Sequence, residues 1–136
     1  LIELEKSVVE GAGAAPLAAF LSGRLDGLKG RKVVLVLAGG NIDSSALGRV
    51  IEVGLVADGR LYRFTVTISD RPGGLARLAE TIAAAGASIK EVDHDRAFAG
   101  PDLSAVRVVC VVETTGHAHV KRLHDALEAA GFPVAG

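Results

Sequence analysis

The stretch that most constrains the fold of this chain is Asp70-Arg71-Pro72-Gly73-Gly74-Leu75. Before it, residues 61–69 alternate. Tyr62, Phe64, Val66 and Ile68 fall on one side and Arg63, Thr65 and Thr67 on the other, the period of a strand with one buried face. After it, Leu75, Leu78, Ala79 and Ile82 recur at helical spacing, closed by Gly86 as a C-terminal stop. The chain must therefore pass from strand to helix within this short turn. Pro72 stands near the first helical position, where its missing N–H costs nothing. Gly73 and Gly74 are poor for helix stability, by about 1 kcal/mol each against alanine. What they allow is close approach, by another backbone or by a small ligand, beside the free N–H groups of a helix start that favour an anion. Taken alone, the hexapeptide reads as a plain tight turn before it reads as a ligand loop; the rest of the chain shifts that balance.

Downstream, Ser88 to Phe98 reads as a polar strand and Ala105 to Glu113 as a strongly β-branched one, with Gly100-Pro101-Asp102 as the hairpin loop between them. Val120, Leu123 and Leu127 mark a second amphipathic helix, stopped at Gly131, and Phe132-Pro133-Val134 begins a last short strand. The order βαββαβ predicts an α+β domain over residues 61–136: a ferredoxin-like, four-stranded antiparallel sheet with two helices on one face. The opposite face would carry Thr65, Thr67, Val109 and Val111, and the sheet would have open edges, so pairing with a second copy is expected.

The front of the chain reads differently. Leu1 to Lys6 has a short apolar-acidic helical pattern. Glu10 to Pro16 and Leu17 to Leu21 lead to Ser22-Gly23, a small-residue helix whose regular part is expected to start near Pro16. Its Ala/Gly face has no evident partner within the chain. Val33-Val34-Leu35-Val36-Leu37 is apolar without alternation, as in a parallel-sheet strand covered on both faces. It breaks at Ala38-Gly39-Gly40-Asn41-Ile42-Asp43, a strand-to-turn junction of the kind that binds ligands at the carboxyl ends of strands. One helix and one such strand cannot cover a sheet, so residues 1–48 read as the loosely held tail of an absent α/β domain. Residues 49–60 read as the connection, for which an extended form is one option.

Composition narrows the partners. Fifteen basic against sixteen acidic residues give a net charge of −1, which points to neither nucleic acid nor an anionic membrane surface. No run is long enough to span a bilayer and no signal-peptide layout is present, so a cytoplasmic location is expected. The lone Cys110 fits a reducing compartment and, alternating with Val108 and Val112, a core position. The start on Leu1-Ile2-Glu3-Leu4, mid-element and without Met, reads as a piece of a longer protein. His117, His119 and His124 are spaced by two and five residues, not the i, i+4 spacing of ligands on one helical face, so no metal site is expected and solvated surface histidines are. Glu10 and Asp43 are a carboxylate pair only if the missing domain sets their separation. Arg24 to Arg31 reads as a solvated linker.

Two resemblances add to this. The strand, Asp-Arg-Pro-Gly-Gly-Leu, the helix, Gly86-Ala87-Ser88-Ile89 and then Asp93-His94-Asp95-Arg96 resemble an ACT domain over Tyr62 to Val134. ACT domains are regulatory modules that pair, commonly side by side, and bind small amino acids at the interface. The resemblance implies an effector loop at Asp70, Arg71, Pro72, Gly73, Gly74 and Leu75, faced by Ile89, Lys90 and Glu91 of a partner copy. An amino-acid carboxylate would take N–H groups near Gly74 and Leu75, for about 0.3–1 kcal/mol from the helix dipole plus hydrogen bonds. Its ammonium would take Asp70, which could otherwise cap the helix.

The front piece, through Glu10-Gly11-Ala12-Gly13-Ala14 and Gly39-Gly40-Asn41-Ile42-Asp43, resembles the end of the catalytic domain of threonine dehydratases, fold-type II pyridoxal-phosphate enzymes. That family implies parent cofactor contacts at Ala38, Gly39, Gly40 and Asn41. It usually has Ser where Ala38 stands, its hydroxyl bonded to the cofactor's pyridine nitrogen. None of the lysines here sits in the family's lysine motif, so no catalytic residue is expected in this chain and the cofactor belongs to the parent. The implied function is an amino-acid-sensing regulatory domain of a dehydratase that converts L-threonine to 2-oxobutanoate and ammonia. The alternatives are a purely structural pairing domain, or a serine dehydratase or racemase as parent.

Overall fold

In the computed structural model of the chain, residues 1–96 and 104–135 are described. The elements in order are α1 (Ile2–Glu5), α2 (Gly11–Leu21), a 3-10 turn (Asp26–Leu28), α3 (Ser44–Ala57), β1 (Leu61–Ser69), α4 (Gly74–Ala84), β2 (Ser88–Asp95), β3 (Ala105–Glu113), α5 (His117–Ala129) and β4 (Val134–Ala135). The hairpin loop Gly100-Pro101-Asp102 and the expected end of the second strand at Phe98 lie outside the described residues. The chain divides into two units, Leu1–Val50 and Ile51–Gly136.

In the second unit the period-two alternation becomes β1, with Phe64, Val66 and Ile68 buried. Its register against β3 sets Phe64 opposite Cys110, Val66 opposite Val108 and Ile68 opposite Val106. One face of both strands is therefore apolar throughout. The sheet order is β2-β3-β1-β4 with every neighbour antiparallel, the ferredoxin-like order. Leu78 and Ile82 of α4 and Leu123 and Leu127 of α5 join that face in a single core with Ala87 and Phe132. Each fully buried side chain of this size contributes about 1.5–3 kcal/mol. Gly86 and Gly131 stop the two helices at φ +84° and +83°, a region that favours glycine. Arg77 lies over the Phe132 ring at 4.9 Å and donates to the Ala130 carbonyl, joining α4 to the end of α5. The expected opposite face is present: Thr65 pairs with Val109, and Arg63 with Val111.

One histidine departs from the surface expectation. His119 is 4% exposed and completes the buried row of α5 with Leu123 and Leu127. A backbone N–H can only donate, so Nδ1 accepts from Thr115 N–H at 3.1 Å, and Nε2 then carries the proton it donates to the Ala85 carbonyl at 2.8 Å. With both nitrogens satisfied, the ring can replace an aliphatic side chain at this spacing. His117 is exposed, and its Nε2 lies 3.0 Å from the Ala57 carbonyl at the end of α3.

The front of the chain corrects four expectations. The run Val33 to Leu37 forms no strand: Val34 is 89% and Val36 71% exposed, because the chain supplies no neighbouring strands to pair with them. Residues 49–57 are not extended but helical, part of α3. That helix is capped by Asp43, whose Oδ1 accepts the Ser45 hydroxyl and the N–H groups of Ser45 (2.8 Å) and Ala46 (3.3 Å); the hydroxyl first, then the two N–H groups, hold the Asp43 carboxyl below its usual value. The small-residue helix begins at Gly11, with Pro16 inside it. Its Gly face does have a partner within the chain: Glu10 N–H donates to the Gly39 carbonyl at 2.8 Å, and a Cβ on Gly13 would stand 1.7 Å from the Ala38 carbonyl oxygen. Only glycine fits there.

Candidate effector site

The site begins where β1 ends. Asp70 N–H donates to the Ser104 carbonyl at 2.9 Å, one step beyond the Ser69–Ala105 pair, so Asp70 is held by the sheet. Two residues on from Ile68, it continues the core side of the strand past its end. The turn to α4 follows, with Gly73 at φ +94° and Gly74 N–H donating to the Arg71 carbonyl at 3.0 Å. The first helical bond runs from Arg77 N–H to the Gly73 carbonyl at 3.0 Å. Leu75 and Ala76 therefore sit in the first turn, ahead of that bond, where N–H groups have no carbonyl within the helix to donate to. The expected donors near Gly74 and Leu75 shift by one residue, because Gly74 spends its N–H on the turn.

Gly73 and Gly74 have different reasons to be glycine. A Cβ on Gly73 would meet nothing within 4 Å, and its positive φ is what excludes other residues. A Cβ on Gly74 would stand 2.3 Å from the Ser69 carbonyl oxygen. The missing side chain at Gly74 thus lets α4 start close against the end of β1. It is required by the turn itself.

Asp70, Arg71, Pro72, Gly73, Leu75 and Ala76 line a cavity of about 300 Å³ with Ser69, His94 and Arg96. Asp70 does not cap α4, whose N-cap is Gly73 with no side-chain bond. Its carboxylate instead takes Arg96 side-on: Nε donates to Oδ2 at 2.7 Å and Nη2 to Oδ1 at 3.0 Å. His94 Nε2 lies 3.9 Å from Oδ1. The Arg96 hydrogen bond holds the Asp70 carboxyl below its usual value, and the Asp70 hydrogen bond raises the Arg96 guanidinium.

Sequence reasoning about the loop missed His94 and Arg96. The signal was the period of two: His94 pairs with Val108 on the core side, so Arg96, two residues on, leaves β2 toward that same side. Asp70 lies on it too. The second set of expected site residues lies elsewhere. Ile89 pairs with Val112 and Glu91 with Val111, next to the start of β1, whereas Asp70 follows its end. At about 3.3 Å per strand residue, the two sets stand roughly 20 Å apart within one chain. Only a second copy could join them. Lys90, at the irregularity in β2, pairs with Glu52 at 2.9 Å, which lowers the Glu52 carboxyl and raises the Lys90 amine.

The cofactor-type positions Ala38, Gly39, Gly40 and Asn41 lie in the first unit, with Gly39 at φ +87° against the Glu10 side chain. Ala38 carries a methyl group and no hydroxyl. Burial pushes the Cys110 thiol up to about 11, consistent with a core residue and no nucleophile. Among the described residues, no group of His, Cys, Asp and Glu could hold a metal, and no helix is long and apolar enough to cross a membrane.

Comparison with known proteins finds likeness along nearly the whole chain. It is 44% identical over 134 residues to an L-threonine ammonia-lyase of Geobacter sulfurreducens, a match covering 98% of this chain and 33% of that protein. To an L-threonine ammonia-lyase of Thermotoga maritima it is 38% identical over 134 residues, with the same shares covered. To the L-threonine dehydratase catabolic TdcB of Staphylococcus aureus it is 48% identical over 61 residues, 43% of this chain and 18% of that protein. The chain thus spans about a third of the length of the first two. No protein-family model matches it.

Proposed function

This chain matches one region of the threonine ammonia-lyases, and we propose that its second unit is the amino-acid-sensing regulatory domain of such an enzyme. On this reading residues 61–136 are an ACT domain and residues 1–48 the end of the catalytic domain, with 49–60 between them. The parent deaminates L-threonine to 2-oxobutanoate and ammonia. The regulatory units pair as a homodimer or a larger assembly, and a small amino acid binds where they meet.

One observation carries the reading: a carboxylate, that of Asp70, and the first turn of a helix, at Leu75 and Ala76, line one cavity. An α-amino acid presents the complementary pair of charges. Arg71, Pro72, Gly73 and Gly74 shape the loop, and Ile89, Lys90 and Glu91 of a second copy would close it. Pyridoxal phosphate belongs to the parent on this reading, where it would act as the electron sink of the elimination. Gly39, Gly40 and Asn41 match that family's pattern, but Ala38 does not supply its hydroxyl. The parent's cofactor contact there must differ.

A second reading, a pairing domain with no ligand, is favoured by a different observation: Asp70 already has a cation in Arg96. Isothermal titration calorimetry with L-isoleucine, L-valine, L-serine and L-threonine separates the two. Saturable heat with at least one of the four supports the sensor; none with any supports the structural module.

A further inference from the structure

The Asp70 carboxylate is 24% exposed and faces the cavity, yet both of its oxygens are already engaged. The side-on guanidinium takes one acceptor position on each oxygen, and its positive charge opposes an α-ammonium at the remaining ones. We propose that the Arg96–Asp70 pair is a self-occupied form of the amino-acid site, in which Arg96 stands in for the ligand's ammonium and must leave before it binds. The inference rests on the effector reading above and adds an internal competitor to it.

Two features fit Arg96 for this part. Its side chain is 69% exposed, so solvent screens the pair and its release costs little. It also stands immediately after β2, while Asp70 ends β1, with β3 between the two strands. The pair therefore ties the end of β2 to the loop that opens α4, and an incoming amino acid would cut that tie. A second cation beside Asp70 is disfavoured, since it would be repelled by the Arg96 guanidinium already seated on the carboxylate. The ligand's ammonium thus competes with Arg96 rather than adding to it. A 2-hydroxy acid of the same shape has no cation to exchange, so the pair stays closed to it. The latch weakens the binding of amines alone.

The test is calorimetric titration of the unaltered protein and of Arg96→Gln with L-isoleucine, L-valine, L-serine and L-threonine, and with the 2-hydroxy acid matching whichever responds. Arg96→Gln should bind the responding amino acid about two- to fivefold more tightly, leave the hydroxy acid unchanged, and lower its melting temperature only slightly. Equal or weaker amino-acid binding by Arg96→Gln, with the unaltered protein still saturable, overturns the latch and leaves the sensor standing. Binding of no amino acid by either protein overturns both. Binding by Arg96→Gln alone is the latch at its strongest.

Discussion

The two units carry similar apolar residues and use them in opposite ways. In Leu1–Val50 no residue is buried, although it contains the five consecutive apolar residues Val33 to Leu37. In Ile51–Gly136, thirteen of the described residues close into one core. The difference is pattern. β1 and β3 alternate in register, so their apolar side chains meet the apolar stripes of α4 and α5, and every polar neighbour turns outward. A run that is apolar on both sides needs two covering layers, and the first unit has none. Hydrophobicity supplies the driving force; complementary faces decide whether it can be used.

Substitution of core and front residues sharpens this contrast most. Phe64→Ala should lower stability by about 3–5 kcal/mol in urea denaturation, whereas Val34→Ala should change it by less than about 0.5 kcal/mol. Alkylation of Cys110 gives a second readout: the buried thiol should react only on unfolding, and faster in Phe64→Ala than in Val34→Ala. A stability loss in Val34→Ala equal to that of Phe64→Ala would erase the distinction between the units.

Next comes the turn. Gly74→Ala sets a Cβ against the Ser69 carbonyl and should cost about 1–3 kcal/mol. The loss is expected in melting temperature, before any ligand is added. His119→Ala leaves Thr115 N–H and the Ala85 carbonyl without their partner and should cost a further 1–3 kcal/mol or so on its own. His117→Ala, at an exposed position, should cost less; the reverse order would mean that the buried row of α5 is misassigned.

The smallest effect concerns Asp70. Because Arg96 holds its folded-state carboxyl below the ordinary value of 3.8, the pair contributes stability above that pH, and the contribution is lost as pH falls through the lower folded value. Asp70→Asn should therefore be slightly less stable than the unaltered protein near neutrality and equal to it in strong acid. A gap that persisted unchanged into acid would show that Asp70 acts through packing.

Much of the second unit was legible because both of its periods are local. Phe64, Val66 and Ile68 announce a half-buried strand, Leu123 and Leu127 a helix stripe, and Gly86 and Gly131 their ends. What was not legible depends on contacts distant in sequence. His119 looks like a surface residue until Thr115 and Ala85 are seen to satisfy both nitrogens. Gly13 looks unpartnered until Ala38 arrives against it. Asp70 looks like a helix cap until Arg96, 26 residues on, reaches it. In α3, Leu47, Ile51 and Leu55 did carry a helical repeat behind the Asp43 cap, but Gly48 and Gly54 weaken that signal.

The most direct test of the sensor reading is residue-resolved. Amide chemical shifts of the ¹⁵N-labelled protein, followed during titration with L-isoleucine, L-valine, L-serine and L-threonine, should move saturably at Leu75 and Ala76 for at least one of them and stay fixed at Val33 to Leu37. Shifts that never saturate, or that appear only away from the Asp70 loop, would contradict it.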